Sequence, residues 1–173
     1  TSLFGNCRTK ELFLRWSEMA AFTPVMRTHE CNRPDENFQY YDDEDCMNKL
    51  ARLVDVYTML KPYLKALVHE NGAEGIPVQR PLFLHNEDDP RCYEIQYQYL
   101  LGPDMLVAPV YLADQTEWPV YLPEGEWIHL WTIRRYSTRR IPGMRSFLRK
   151  SAGSMAGHNP PRSAAAEKEG ASW

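Results

Sequence analysis

The hydrophobic period of this chain changes at Gly75, and that change limits what the chain can fold into. Upstream, apolar residues recur at three- and four-residue intervals. They are Leu12, Phe13, Trp16, Met19 and Ala20, then Leu50, Leu53, Val54, Tyr57, Leu60, Leu64, Leu67 and Val68. That spacing lines one face of an α-helix. Downstream, short β-branched and aromatic runs are separated by Pro, Gly and Asp clusters, which favours antiparallel strands joined by turns. A helix-rich α/β part followed by a β part is the simplest architecture that obeys both periods.

The upstream half reads helix, strand, loop, helix. A helix is expected over Lys10–Ala21, capped by Thr9. Pro24 favours an extended entry into a Phe22–Thr28 strand, and the polar residues 30–45 read as a surface loop. A second helix is expected from about Asp45 to Asn71, with a kink or break at Pro62. Asn71-Gly72 and Gly75 are its stop signals.

After Gly75, Pro77–Leu84 and Met105–Leu112 read as strands, and Tyr93–Leu100 as a strand or short helix. Glu87-Asp88-Asp89-Pro90 reads as a turn. Trp118–Leu122 and Trp127–Trp131 flank Pro123-Glu124-Gly125-Glu126, a hairpin signature. Residues 133–173 show no sustained period, and they read as a disordered basic tail.

Composition narrows the function classes. Residues 133–173 hold nine Lys/Arg against two Asp/Glu, so the body of the chain is acidic although the net charge is only −3. An acidic body disfavours nucleic-acid binding, although the basic tail leaves a non-catalytic anion-binding product as a competing reading. Apolar runs are too short to span a bilayer. Cys7, Cys31, Cys46 and Cys92 lack metal-ligand spacing, so no metal or cofactor is expected. Free thiols in a reducing, cytoplasmic compartment are the simpler reading, with disulfide pairing left open. The N-terminal residues lack an initiator Met and the layout of a signal peptide, and they read as the interior of a longer protein.

One segment carries candidate chemistry. The apolar run Phe22-Thr23-Pro24-Val25-Met26 ends in Arg27, His29 and Glu30. Side chains two apart share a face in extended backbone, so Arg27 and His29 should point together. Polar groups at the C-terminal end of a barrel strand are where (β/α)8 folds place their sites. A structural strand that merely ends in a polar loop fits the spacing as well.

Four blocks resemble glycoside hydrolase family 31. They are Glu11-Leu12 with Arg15-Trp16 running to Phe22-Thr23-Pro24 and Arg27-Thr28-His29; Leu60-Lys61-Pro62-Tyr63-Leu64; Gly75-Ile76-Pro77-Val78 with Arg80-Pro81-Leu82-Phe83; and Leu101-Gly102 through Leu106-Val107-Ala108-Pro109-Val110 with Tyr121-Leu122-Pro123, Trp127 and Trp131-Thr132. Within the family, Met26 to Glu30 with Asn32, Arg33, Pro34 and Asn37 is similar to the sulfoquinovosidases.

The resemblance implies a fold and a division of labour. Residues 1–74 would end a TIM-barrel catalytic domain, 75–132 would form part of a β-sandwich domain, and 133–173 would depart from the family pattern. The implied activity is retaining hydrolysis of α-glycosides, most like release of sulfoquinovose from sulfoquinovosyl glycerol. A neutral α-glucoside is the alternative, and a small carbohydrate or sulfosugar glycoside the expected partner. Retaining glycosidases use two carboxyl groups about 5 Å apart. The resemblance places both upstream of Thr1, so no catalytic residue is assigned here and the isolated chain is expected to be inactive.

His29 is the implied sugar-binding residue, with Arg27 as a possible second. Arg27 reads more simply as an anchor of the strand mouth through a carboxylate. Asp42, Asp43, Glu44 and Asp45 read as the acidic start of a helix, and Glu87, Asp88 and Asp89 as turn residues. His69, His85, His129 and His158 read as surface or structural, and Trp16, Trp118, Trp127 and Trp131 as core anchors rather than sugar platforms.

Overall fold

The computed structural model describes residues 8–29, 33–138 and, as backbone, 147–151. Helix α1 spans Lys10–Ala20, and Thr9 caps it by accepting the Leu12 amide at 3.2 Å. Helix α2 spans Glu44–Met59 and starts at Asp43, whose Oδ1 accepts the Cys46 amide at 2.8 Å. Helix α3 spans Lys61–Glu74.

The long helical pattern is therefore broken at Leu60. Pro62 falls in the first turn of α3, where a missing amide leaves no intrahelical bond unmade. Gly75, at φ 76°, ends α3 in the left-handed conformation that glycine tolerates. Asn71 and Gly72 remain helical; Asn71 instead donates from Nδ2 to the Ile76 carbonyl at 3.0 Å.

Beyond Gly75 the strands are shorter and paired differently from the sequence expectation. Strands β1 (Gln79–Arg80), β2 (Tyr99–Leu101) and β3 (Met105–Val107) form one antiparallel sheet in that order. The Pro77–Leu84 run yields only two strand residues, because Pro81 cannot donate to a ladder and the chain turns into a 3₁₀ turn at Leu82–Leu84. The Met105–Leu112 run stops before Pro109.

The expected hairpin does not form. Strand β4 (Glu117–Tyr121) pairs with β7 (Phe147–Ser151), and β5 (Gly125–Ile128) pairs with β6 (Arg135–Thr138). Both later strands lie inside the segment read as a structureless tail. The arginine pairs around Arg135-Tyr136-Ser137-Thr138 mask a four-residue alternation that only cross-strand pairing stabilises. Residues 139–146 and 152–173 lie outside the described residues.

Ala21, Phe22, Leu53, Leu64, Leu67, Val78 and Leu101 form the main buried cluster. It joins α2, α3 and β2 to the start of the 22–29 segment. Burying each leucine contributes about 2 kcal/mol. Trp118 is buried, Trp131 packs edge-on to Phe22, and the Trp127 indole donates to the Pro123 carbonyl at 2.9 Å. Trp16 is 58% exposed, against expectation, since no described element covers that face of α1.

Arg80 is the one fully buried cation among the described residues. Its guanidinium donates to Glu70, to the Pro77 carbonyl at 2.8 Å and to His85 Nε2 at 2.9 Å. It clamps α3 to β1 and the following turn, and it gives His85 a structural role.

Candidate functional site

Residues 22–29 have no ladder partner among the described residues, so the expected Phe22–Thr28 strand is not assigned. Two phenols hold the segment instead. Tyr57 of α2 donates to the Pro24 carbonyl at 2.9 Å, and Tyr99 of β2 donates to the Phe22 carbonyl at 3.0 Å. The helical and sheet halves thus grip the same three residues, and neither tyrosine was singled out from sequence. Their signal was ambiguous, since both fit a core-facing aromatic pattern.

Burial pushes the Tyr99 phenol up to about 12, against a smaller opposing contribution from Gln79. A phenol whose folded value is raised stabilises the fold fully below its unfolded value and loses that contribution as pH rises through the folded one. Stability should therefore fall between about pH 10 and 12 through this residue. Urea melts across that range should show the fall in the parent, and Tyr99→Phe should make it shallower, the buried Cys92 thiol and Tyr121 phenol keeping the remainder. An unchanged pH profile in the variant would remove Tyr99 as the cause.

The segment ends in exposed Arg27, Thr28 and His29. Arg27 Nη2 lies 3.1 Å from His29 Nδ1, so the two side chains meet as their spacing predicted. Among the described residues, Arg27 has this imidazole as its partner and not the carboxylate expected from sequence.

Arg8 fixes the tip from below, and nothing periodic in the sequence marks it. Its Nη1 donates to the His29 carbonyl at 3.3 Å, its Nε to Phe38 O at 2.9 Å and its Nη2 to Gln39 Oε1 at 3.0 Å. The Arg8 amide donates to Asn37 Oδ1 at 2.6 Å, and its guanidinium sits 5.2 Å from the Phe13 ring centroid. The loop braces itself through Asn37 Nδ2 to Arg33 O at 3.0 Å and the Gln39 amide to Asp42 Oδ2 at 2.7 Å.

The acidic run is spent on structure. Lys10 Nζ lies 2.6 Å from Asp43 and 3.1 Å from Asp45, and Lys49 lies 2.7 Å from Asp45. The Lys10 hydrogen bond, then the Cys46 amide, hold Asp43 below its usual range; Lys49, then Lys10, do the same for Asp45. In the later turn, Asp89 accepts from the Arg91 amide at 3.1 Å and from Tyr121 Oη at 2.5 Å. These carboxylates cap and brace.

Cys46 and Cys92 are free buried thiols, and burial pushes Cys92 up to about 12. Among the described residues no His/Cys/Asp/Glu group is placed to hold a metal ion, and no helix is long and apolar enough to cross a membrane. His69 is exposed, and His129 Nδ1 lies 2.6 Å from Thr132 Oγ1. Cys7, Cys31, Glu30, Asn32 and His158 lie outside the described residues. What remains at the tip is a guanidinium and an imidazole, donors suited to an oxygen-rich ligand.

Comparison with known proteins gives this geometry a context. Residues 3–67 match the glycosyl hydrolases family 31 TIM-barrel domain, and residues 75–152 match the family 31 C-terminal domain. The chain belongs to glycoside hydrolase family 31. The family match runs past Thr132 and through β6 and β7, so the departure expected after Thr132 does not begin there.

A sulfoquinovosidase of Agrobacterium fabrum is 56% identical over 141 residues, covering 81% of this chain and 21% of that protein. A 1,3-alpha-isomaltosidase of Kribbella flavida is 36% identical over 152 residues, covering 80% of this chain and 21% of that protein. Among solved structures, a family 31 sulfoquinovosidase from E. rectale in complex with the aza-sugar inhibitor IFGSQ superposes with TM-score 0.81 at 63% identity. It covers 90% of this chain and 22% of that one. The chain thus spans about a fifth of the length of the curated relatives it matches.

Proposed function

We propose that this chain forms the sugar-holding end of a retaining α-glycosidase that acts on sulfoquinovosides, releasing sulfoquinovose from a glycoside such as sulfoquinovosyl glycerol. The observation that carries the reading is the identity gap: 56% to a sulfoquinovosidase against 36% to a family member named for a neutral sugar. Residues 1–74 serve as the end of the barrel, and the strands after Gly75 brace it. His29 contacts a hydroxyl of the bound sugar. The nucleophile and acid/base carboxyls come from residues outside this chain. The buried free thiols support a reducing, cytoplasmic setting.

The test uses the longer protein that carries this chain, assayed with an aryl α-sulfoquinovoside and the matching α-glucoside. A site that pairs a charged sulfonate should reject the neutral analogue by about a hundredfold or more in kcat/KM, because its buried donors would be left unpaired. His29→Ala should lower kcat/KM on the sulfoquinovoside, and the 173-residue chain alone should turn over neither substrate. Equal or better hydrolysis of the glucoside would reassign the enzyme to neutral sugars.

A further inference from the structure

We propose that Arg27 is a positioning residue that fixes the tautomer of His29, so that His29 meets its ligand as a hydrogen-bond donor through Nε2. The two side chains approach through Arg27 Nη2 and His29 Nδ1 at 3.1 Å. A guanidinium has five N–H donors and no acceptor. The hydrogen bond therefore has one possible direction: Arg27 donates and Nδ1 accepts. A neutral imidazole that accepts on Nδ1 carries its proton on Nε2.

The rest of the tip holds this arrangement in place. Arg8 Nη1 binds the His29 carbonyl, while Tyr57 and Tyr99 hold the base of the segment at Pro24 and Phe22. Backbone restraint at both ends leaves the ring orientation to the Arg27 contact. Among the described residues Nε2 has no partner, and the ring is exposed. The atom it would meet on a glycoside is an oxygen acting as acceptor, such as a hydroxyl lone pair.

The role toward sugar rests on the proposed function; the tautomer does not. The experiment is nitrogen NMR of the 15N-histidine-labelled chain, with the His29 signals assigned by their loss in His29→Ala. The parent should show the pattern of a protonated Nε2 and an unprotonated Nδ1. A hydrogen bond from a charged donor should bias that ratio by about tenfold. Arg27→Met removes the donor and should return the ratio to the weaker preference of an unrestrained imidazole, whereas Arg27→Lys keeps a donor and should retain part of the added bias.

Arg27 is exposed, so neither substitution opens a cavity. A dominant Nδ1–H form in the parent, or an unchanged ratio in Arg27→Met, would overturn the assignment. Loss of sulfoquinovoside turnover as a property of the longer protein, with the tautomer pattern intact, would remove only the glycosidase reading.

Discussion

Gly102→Ala should be the most damaging glycine-to-alanine change among the described residues. Gly102 follows β2 and sits at φ 61°. An alanine there occupies left-handed backbone at a cost of about 1–2 kcal/mol. The new Cβ would also collide with Tyr63 Oη and would lie 2.7 Å from Leu67 Cδ2. Overpacking of this kind costs about 1–3 kcal/mol more.

Neither obstacle gives way cheaply. Leu67 is in the main core, and the Tyr63 hydroxyl is held by its donation to the Leu101 carbonyl at 2.9 Å. The Gly102 amide also donates to Val78 O at 2.9 Å, so a backbone shift would break a bond. Urea denaturation should show a loss of about 3–4 kcal/mol. The double variant with Tyr63→Phe should lose less than the sum of the singles, because the hydroxyl that clashes is gone. Strict additivity would show that the Tyr63 hydroxyl is not the obstacle, leaving Leu67 and the backbone conformation responsible.

Arg80→Ala should cost a comparable amount for a different reason. The guanidinium is buried and makes three contacts, to Glu70, Pro77 O and His85. Its removal empties a large core volume and leaves Glu70 without its cation. Breaking a buried pair from one side costs about 3–5 kcal/mol. The Glu70 side chain keeps 31% exposure, which places the expected loss near about 3 kcal/mol.

Arg80→Met keeps much of the volume and loses only the charge and its hydrogen bonds. It should fall between the parent and the alanine variant in denaturant midpoint. If both variants lose the same amount, the ion pair and not the packing decides stability at this joint.

Both residues lie in blocks that the family resemblance picked out, yet their importance was not readable from sequence. Gly102 precedes Pro103 and reads as an ordinary turn glycine until Tyr63 and Leu67 are seen against its α-hydrogens. Arg80 reads as a polar residue in a short strand until Glu70 arrives from a helix ten residues earlier. Similarly, Arg27 and His29 were paired by a period-two argument that held, although the segment is not a strand among the described residues. Arg8 was invisible, because its partners lie 21 to 31 residues away at His29, Phe38 and Gln39.

The sequence by itself determined the change of period at Gly75, the span of α1 to within a residue, a helix break next to Pro62 and the family. Each of these rests on local physics: side-chain spacing, a capping hydroxyl, a missing amide, a left-handed glycine, or a run of residues met in order. The tertiary structure alone decided which strands pair and what supports the 22–29 segment. Strand pairing and carbonyl capture depend on partners far along the chain, and one-dimensional patterns carry no record of which distant donor reaches which acceptor. Two tyrosines from opposite halves of the molecule holding Phe22 and Pro24 are therefore visible only once the chain has folded.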